Sequence, residues 1–340
     1  MSDSGTDQAE HELAGRRVLI TGASSGIGRA AALAVAQKGA VVFLLARRED
    51  ELATVVAEIR AAGGRAYGYP CDITEQASVE VTLDRLLGEH GRVDMLVNNA
   101  GRSIRRAIHR STDRLHDYER TMAVNYFGAL RLTLALLPQM RERKFGHIVN
   151  ISSAGVQVAT PRYSAYLASK AALDKFTEVA AVETMADGVT FTTIHLPLVR
   201  TPMIAPSGNQ GGRAESPEWA AATIVRALTQ RPRRIDVPIG TLGEYGAMFA
   251  PRLRDFVLHR YYRMIPDSPA ARGEQAEYTP ATDTQTSAAE TPVVRRIGGE
   301  HPAARSRPRR APLPRAGARV ARGTGTALRR AARWVPGTHW

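Results

Sequence analysis

The sequence has one cysteine, Cys71, among its 340 residues. No intrachain disulfide framework can form, which excludes the small stapled scaffolds of secreted proteins and agrees with a reducing compartment. No uncharged apolar run approaches the roughly 20 residues that a spanning helix needs. The first thirteen residues are polar and acidic, without the basic start and apolar centre of a secretory leader. The expected location is therefore cytoplasmic, or peripheral at a membrane surface. The nine histidines show no metal-ligand spacing, so no metal site is expected. Internal repeats are lacking too. Acid is scarce in one region only: residues 291–340 hold twelve arginines and one glutamate, +11 of the formal net charge of +13, which leaves +2 for the first 290 residues. A nearly neutral body gives no reason to expect specific nucleic-acid recognition by the fold; the base belongs to the tail.

What is present is an alternation of strand and helix patterns. Strands are predicted at 17–21, 41–46, 93–98, 147–152 and 189–196, with a last one at 234–238. Helices are predicted at 28–38, around Leu52, Val55, Val56 and Ile59 up to the stop at Gly63-Gly64, near 125–144, and at 165–185. The run 41–46 is continuously apolar, as in a strand buried on both faces. Such alternation implies a parallel sheet covered by helices on both sides. The predicted boundaries are an N-terminal extension at 1–14, a catalytic domain at 15–240, a helical flap at 241–270, a disordered Arg/Pro-rich tail at 271–333 and a terminal motif at 334–340. The stretch 242–264 is amphipathic and aromatic. It reads either as a flap packed beside the domain or as an interfacial membrane helix.

Thr21-Gly22-Ala23-Ser24-Ser25-Gly26-Ile27-Gly28 lies between a predicted strand and a predicted helix. Glycines permit a tight turn and close backbone approach to a pyrophosphate, and a helix N-terminus presents amides and positive dipole to it. Ser24, Ser25 and Ile27 are therefore candidate cofactor contacts beside Gly22, Gly26 and Gly28. An acid at the end of the second strand would accept the ribose 2′-hydroxyl of NAD. Here Ala46-Arg47-Arg48 precedes any acid, which suits the 2′-phosphate of NADP, with Arg48 the better candidate for a spectator. In Cys71-Asp72-Ile73, Asp72 is placed to accept from the adenine amino group, with Ile73 next to it. Helix capping by Asp72 or Thr74 is the competing reading.

Tyr166-Leu167-Ala168-Ser169-Lys170 puts a phenol and an ammonium on one helical face. The positive charge is expected to lower the phenol pKa and make it a proton donor and acceptor. Ser153, thirteen residues upstream, reads either as a partner of the substrate oxygen or as a helix cap. Ser152 fits the spacing less well.

Together with Asn98-Asn99-Ala100-Gly101 and Asn125, these motifs resemble the short-chain dehydrogenase/reductase family from Gly15 to about Pro238. The resemblance implies a Rossmann-type, doubly wound α/β sheet of about seven strands and a homo-oligomer built through the long helices after Asn125 and Ser164. It implies that Tyr166 is the general acid/base and that Lys170 binds the nicotinamide ribose and tunes the tyrosine. It further implies that Ser153 orients the carbonyl and Asn125 supports a relay water. Asn99, Ala100, Gly101, Pro197, Val199 and Thr201 join the cofactor's surroundings by the same resemblance.

Asn98 to Arg106, Asp117 to Met122, Asn125 to Gly128, Pro197 to Pro206 and the terminal Pro336-Gly337-Thr338-His339-Trp340 further resemble bacterial fatty acyl-CoA reductases of that family. Most members have glycine where this chain has Leu198. The narrower resemblance implies reduction of a long-chain acyl-CoA or of the fatty aldehyde. The loop 207–212 departs from it. The competing functions are turnover of another ketone, aldehyde or alcohol, and non-catalytic NADPH sensing. Arg102, Arg105 and Arg106 read either as anion contacts for CoA or as solvated or interface arginines. The tail is expected either to remain solvated or to contact anionic lipid or a polyanion.

Overall fold

The computed structural model describes residues 13–204, 214–268 and Ala271. Residues 1–12 of the predicted N-terminal extension, the loop 207–212, the tail after Ala271 and the terminal motif lie outside the described residues.

Seven strands form one parallel sheet: β1 (Arg17–Thr21), β2 (Val41–Ala46), β3 (Arg65–Pro70), β4 (Met95–Asn98), β5 (Gly146–Ser153), β6 (Val189–Leu196) and β7 (Arg234–Ile235). Their order is β3-β2-β1-β4-β5-β6-β7. The order reverses between β1 and β4, the switch point where doubly wound sheets open a crevice at their carboxyl ends. Strand alternation builds two cores. Val18, Ile20, Val42 and Leu44 enter one; Leu19, Phe43 and Leu45 enter the other.

Helices α1 (Gly26–Gln37), α2 (Glu49–Ala61) and α8 (Pro217–Gln230) contribute to the first core. Helices α3 (Gln76–His90), α5 (Ala129–Glu142) and α7 (Ser164–Glu183) contribute to the second. Leu132, Leu136 and Met140 recur at four-residue steps on the buried side of α5, the spacing that directs a helix face inward.

Three expectations needed adjustment. The helix predicted near 125–144 begins earlier, as α4 (Leu115–Met122), and passes through a π-helical turn at Ala123–Gly128 before α5. Such a turn breaks the 3.6-residue period that periodicity reasoning relies on. The fourth strand begins at Met95, because Asp94 leaves the apolar pattern to accept from Arg17 N at 3.0 Å and to pair with Arg143 at 2.8 Å. The last strand is two residues long: Asp236 is drawn to His195, and Pro238 opens the next helix.

The flap is a pair of helices, α9 (Pro238–Phe249) and α10 (Pro251–Met264), with α9 resting on the short helix α6 (Ala154–Val158). No helix among the described residues is long and apolar enough to cross a membrane.

Candidate active site

The turn from β1 to α1 is fixed by backbone shape. Gly22 and Gly26 have φ of +65° and +53°, where side chains are disfavoured. A Cβ on Gly22 would lie 2.9 Å from Ala100 Cα. One on Gly28 would collide with the Gly22 carbonyl oxygen and approach Asn99 Nδ2 to 2.6 Å. Thr201 packs over Gly26, its Cγ2 3.1 Å from where a Cβ would stand. The Ser25 hydroxyl does not cap α1, and the first turn holds no acid. These amides and the helix dipole are arranged to receive an anion. Ser24, Ser25 and Ile27 are half-buried along the same turn.

Asn99 secures the turn from the side. Its Nδ2 donates to the Thr21 carbonyl at 2.9 Å, while the amides of Asn99 and Ala100 donate to Thr21 Oγ1 at 3.0 and 2.9 Å. At the end of β2, the Arg47 side chain is 75% exposed, with one nitrogen 4.0 Å from Asp72 Oδ2. Arg48 pairs with Glu51 at 2.5 Å, one turn into α2. Asp72 Oδ1 accepts from Thr74 N and Thr74 Oγ1 at 2.9 and 2.7 Å, so one carboxylate oxygen closes the turn before α3. The Ile73 side chain is buried in the core against Gly128. Pro197 is half-buried beyond β6, and Val199 is buried, bridging to Glu215.

At the carboxyl end of β5, the Ser153 hydroxyl accepts from Gly155 N at 3.1 Å and so caps α6. The capping reading of this serine holds. Tyr166 and Lys170 stand one turn apart on α7, and Lys170 is 3% exposed. The ammonium donates to the Ile151 carbonyl at 2.7 Å. It lies beside Gly101, whose Cβ position is 3.7 Å from Lys170 Nζ and 3.3 Å from Asn125 Oδ1. Asn125 is held in the π-turn. Its Oδ1 accepts from Arg102 N at 2.7 Å, and its Nδ2 donates to Arg102 O and Ser169 Oγ at 2.9 and 2.8 Å. The side chain thus ties the loop after β4 to α7.

The expected electrostatics require correction. Burial pushes the Tyr166 phenol up to about 12, against the Ser153 hydrogen bond that pulls it down, with the Asp174 charge adding to the rise. Burial brings the Lys170 ammonium down to about 8, opposed by Asp174. The Lys170 ammonium donates to a strand carbonyl, and burial of the phenol sets the net direction.

The basic cluster is also corrected. Arg105 is buried and donates to Pro266 O at 2.8 Å; Arg106 lies 3.5 Å from Asp117 and donates its amide to Arg162 O at 2.7 Å. Both hold the chain to itself, and only Arg102 remains exposed.

Sequence reasoning missed a polar cluster behind the tyrosine. His195 on β6 bonds Asp174 through Nε2 at 3.0 Å and Asp236 through Nδ1 at 2.7 Å, and Ser152 donates to the same Asp174 oxygen at 2.9 Å. Asp174 follows Tyr166 and Lys170 at successive four-residue steps, a signal the sequence did carry. Among the described residues, no His/Cys/Asp/Glu group is arranged to hold a metal.

Comparison with known proteins agrees with this geometry. A family model described as short chain dehydrogenase matches residues 16–211. An uncharacterized oxidoreductase of Mycobacterium tuberculosis is 48% identical over 274 residues, covering 79% of each chain. A fatty acyl-CoA reductase of Acinetobacter baylyi is 47% identical over 262 residues, 77% of this chain and 89% of that one. A short-chain dehydrogenase structure from Streptomyces avermitilis superposes with a TM-score of 0.62 at 33% identity, covering 74% of this chain and 99% of that one.

Proposed function

From the premise that the chain belongs to the short-chain dehydrogenase/reductase family, we propose that it is an NADPH-dependent reductase of long-chain fatty acyl-CoA or of the corresponding aldehyde. The observation that carries this reading is a buried Lys170 one turn from Tyr166 on α7, with Ser153 at the end of β5 and Asn125 and Lys170 both against Gly101. The fit to the dinucleotide rests on the crevice itself. Gly22, Gly26 and Gly28 let the turn pack so closely that a Cβ would meet Ala100, Thr201 or the Gly22 carbonyl, and the α1 N-terminus lacks an acid. The preference for NADPH rests on Arg47, exposed at the end of β2 with no acid on that strand end, and suited to a 2′-phosphate. Arg48, engaged with Glu51, is the spectator.

When bound, NADPH supplies the hydride. Ser153 donates a hydrogen bond to the substrate oxygen, and Tyr166 donates its proton as charge grows there. Lys170 steadies the phenolate that remains. Asn125 acts as a positioning residue, holding Arg102 and Ser169 in place. With a thioester, the C–S bond of the reduced adduct breaks and free thiol leaves with the aldehyde. With an aldehyde, the product is the alcohol. Exposed Leu134, Val179 and Val182 on α5 and α7 support a homo-oligomer through those helices.

The acyl-CoA assignment draws on the Acinetobacter relative. One observation favours a carbonyl substrate without CoA: Arg105 and Arg106 are engaged within the protein and unavailable to phosphates. An NADPH-oxidation assay with acyl-CoAs, fatty aldehydes and simple ketones, read together with free thiol, separates the two. Oxidation with equal thiol release is expected for long-chain acyl-CoA; turnover of ketones alone would overturn that substrate class. Tyr166→Phe is expected to lose roughly 10²- to 10⁴-fold in turnover while NADPH still binds. Near-normal turnover would remove Tyr166 from the chemistry.

A further inference from the structure

Two consecutive helices turn their apolar faces away from the protein. On α10, Arg254, Leu258 and Tyr262 are the partly buried residues, four apart and therefore on the side facing the body. The opposite side carries Leu253, Phe256, Val257, Tyr261 and Met264, each 43–77% exposed. On α9, Ile239, Leu242, Tyr245 and Met248 recur at three-residue steps, followed by Phe249, and all five are 58–74% exposed. An ordinary surface helix has the reverse arrangement, and an array of this extent marks an interaction site.

The outward orientation is fixed. A Cβ on Gly240 would collide with Gln157 of α6, and one on Gly243 would stand 2.9 Å from Val158 Cα, so α9 docks by its glycines and cannot roll. The end of α10 is tethered by two arginines. Arg162 pairs with Asp267 and donates to Ile265 O at 2.7 Å, while Arg105 donates to Pro266 O at 2.8 Å. Arg162 accepts a φ of +74° in doing so, a conformation that costs energy and persists where the surroundings demand it.

The charge pattern identifies what covers these faces. α10 carries Arg252, Arg254, Arg260 and Arg263 against Asp255 alone. At 100° per residue, Arg252 and Arg263 border one side of its apolar stripe, Arg254 borders the other, and Arg260 stands within it between Phe256 and Leu253. A second copy of this face would set arginine against arginine. Residues 291–340, with twelve arginines and one glutamate, repeat that conflict. Residues 272–290 have four acids but Tyr278 as their one large apolar side chain, too little to fill two stripes. A surface that is apolar within and anionic at its boundary satisfies both requirements. We propose that α9 and α10 dock the protein on an anionic bilayer, with the two stripes at the acyl–headgroup boundary and the arginines at lipid phosphates. The proposal does not depend on which carbonyl compound is reduced.

Full-length protein is sedimented with vesicles of phosphatidylcholine plus phosphatidylglycerol and of phosphatidylcholine alone, over a salt series. Binding to the mixed vesicles is expected. It should fall roughly tenfold or more in the Leu242→Ser/Phe249→Ser/Phe256→Ser variant at physiological salt. In a separate Phe256→Trp variant, acyl-brominated lipid should quench fluorescence beyond the wild-type level. Vesicle binding by the triple variant equal to wild type would overturn the proposal, since the basic tail alone would then account for it. So would dissociation of an oligomer on triple substitution with vesicle binding intact, which would assign the stripes to a second copy. If the triple variant melts early, the tryptophan variant decides, and absence of added quenching overturns the proposal.

Discussion

The two walls of the crevice are built from different materials. The β1–α1 turn is held by backbone: glycines at positive φ, carbonyls within van der Waals reach, and the Thr21 hydroxyl shared by two amides. The β5–α7 wall is held by side chains: Ser153 on Gly155, Lys170 on Ile151, Asn125 on Arg102, and Ser152 and His195 on Asp174. Backbone construction leaves one acceptable residue at a position, whereas side-chain construction leaves several. A change on the first wall should therefore strike the fold and cofactor together. A change on the second should separate binding from turnover.

The sharpest test of that difference is Gly28→Ala. The added methyl has no rotamer to escape into, because it meets the Gly22 carbonyl and Asn99 Nδ2. Overpacking of this kind costs about 1–3 kcal/mol, and the strain falls on the turn proposed to receive the pyrophosphate. Calorimetric titration with NADPH should show affinity reduced by at least tenfold and a lower melting temperature. A variant that binds NADPH like wild type would show the turn to be more pliable than its contacts imply. The contrasting change is Tyr166→Phe on the other wall, which should leave that titration unaltered.

A smaller effect is expected at Arg47. Its guanidinium is exposed and 4.0 Å from Asp72, so removing it costs the fold little. Arg47→Ala should raise KM for NADPH by roughly tenfold, the loss of a charge-assisted contact, while KM for NADH stays within about twofold. Equal loss for both cofactors would place Arg47 outside the 2′-phosphate's reach.

The same contrast explains what the sequence disclosed. The glycine turn was legible because its physics is local: strand, tight turn, helix start. The alternation of Val18, Leu19 and Ile20 into two cores likewise follows from a two-residue period. The Tyr166/Lys170 pair was legible from four-residue spacing, but its electrostatics were not. Whether Lys170 faces the phenol or the Ile151 carbonyl depends on a strand nineteen residues away. His195 gave no local signal, since its two carboxylates come from α7 and from beyond β7. The arginines after β4 formed a cluster in sequence and separated in space, because Pro266 and Asp117 claim them individually. The π-turn at Asn125 was hidden because it breaks the periodicity by which helices are recognised.

The least effect is expected from the buried histidine of the second wall, and its sign is informative. Burial pulls the His195 pKa down, but hydrogen bonds and charges from Asp174 and Asp236 outweigh it, and the net shift is upward. A histidine raised on folding contributes stability that is fully present below its ordinary value near 6.5 and is lost as pH rises through the raised folded value. His147, on the neighbouring strand β5, has the opposite character. Burial chiefly, with Arg231 assisting, brings it down to about 4, while the Ala227 carbonyl at 3.1 Å opposes. Its contribution is present above 6.5 and is lost as pH falls toward 4. The wild-type melting temperature should therefore decline on both sides. In His195→Gln the alkaline decline should flatten while the acid decline persists, as followed by thermal melts across pH 4 to 9. Because Asp174 raises both Tyr166 and Lys170, the same variant should also shift the alkaline limb of the turnover profile. A lower melting temperature at every pH, with neither limb changed, would make His195 a packing residue and leave the side-chain wall without its charged support.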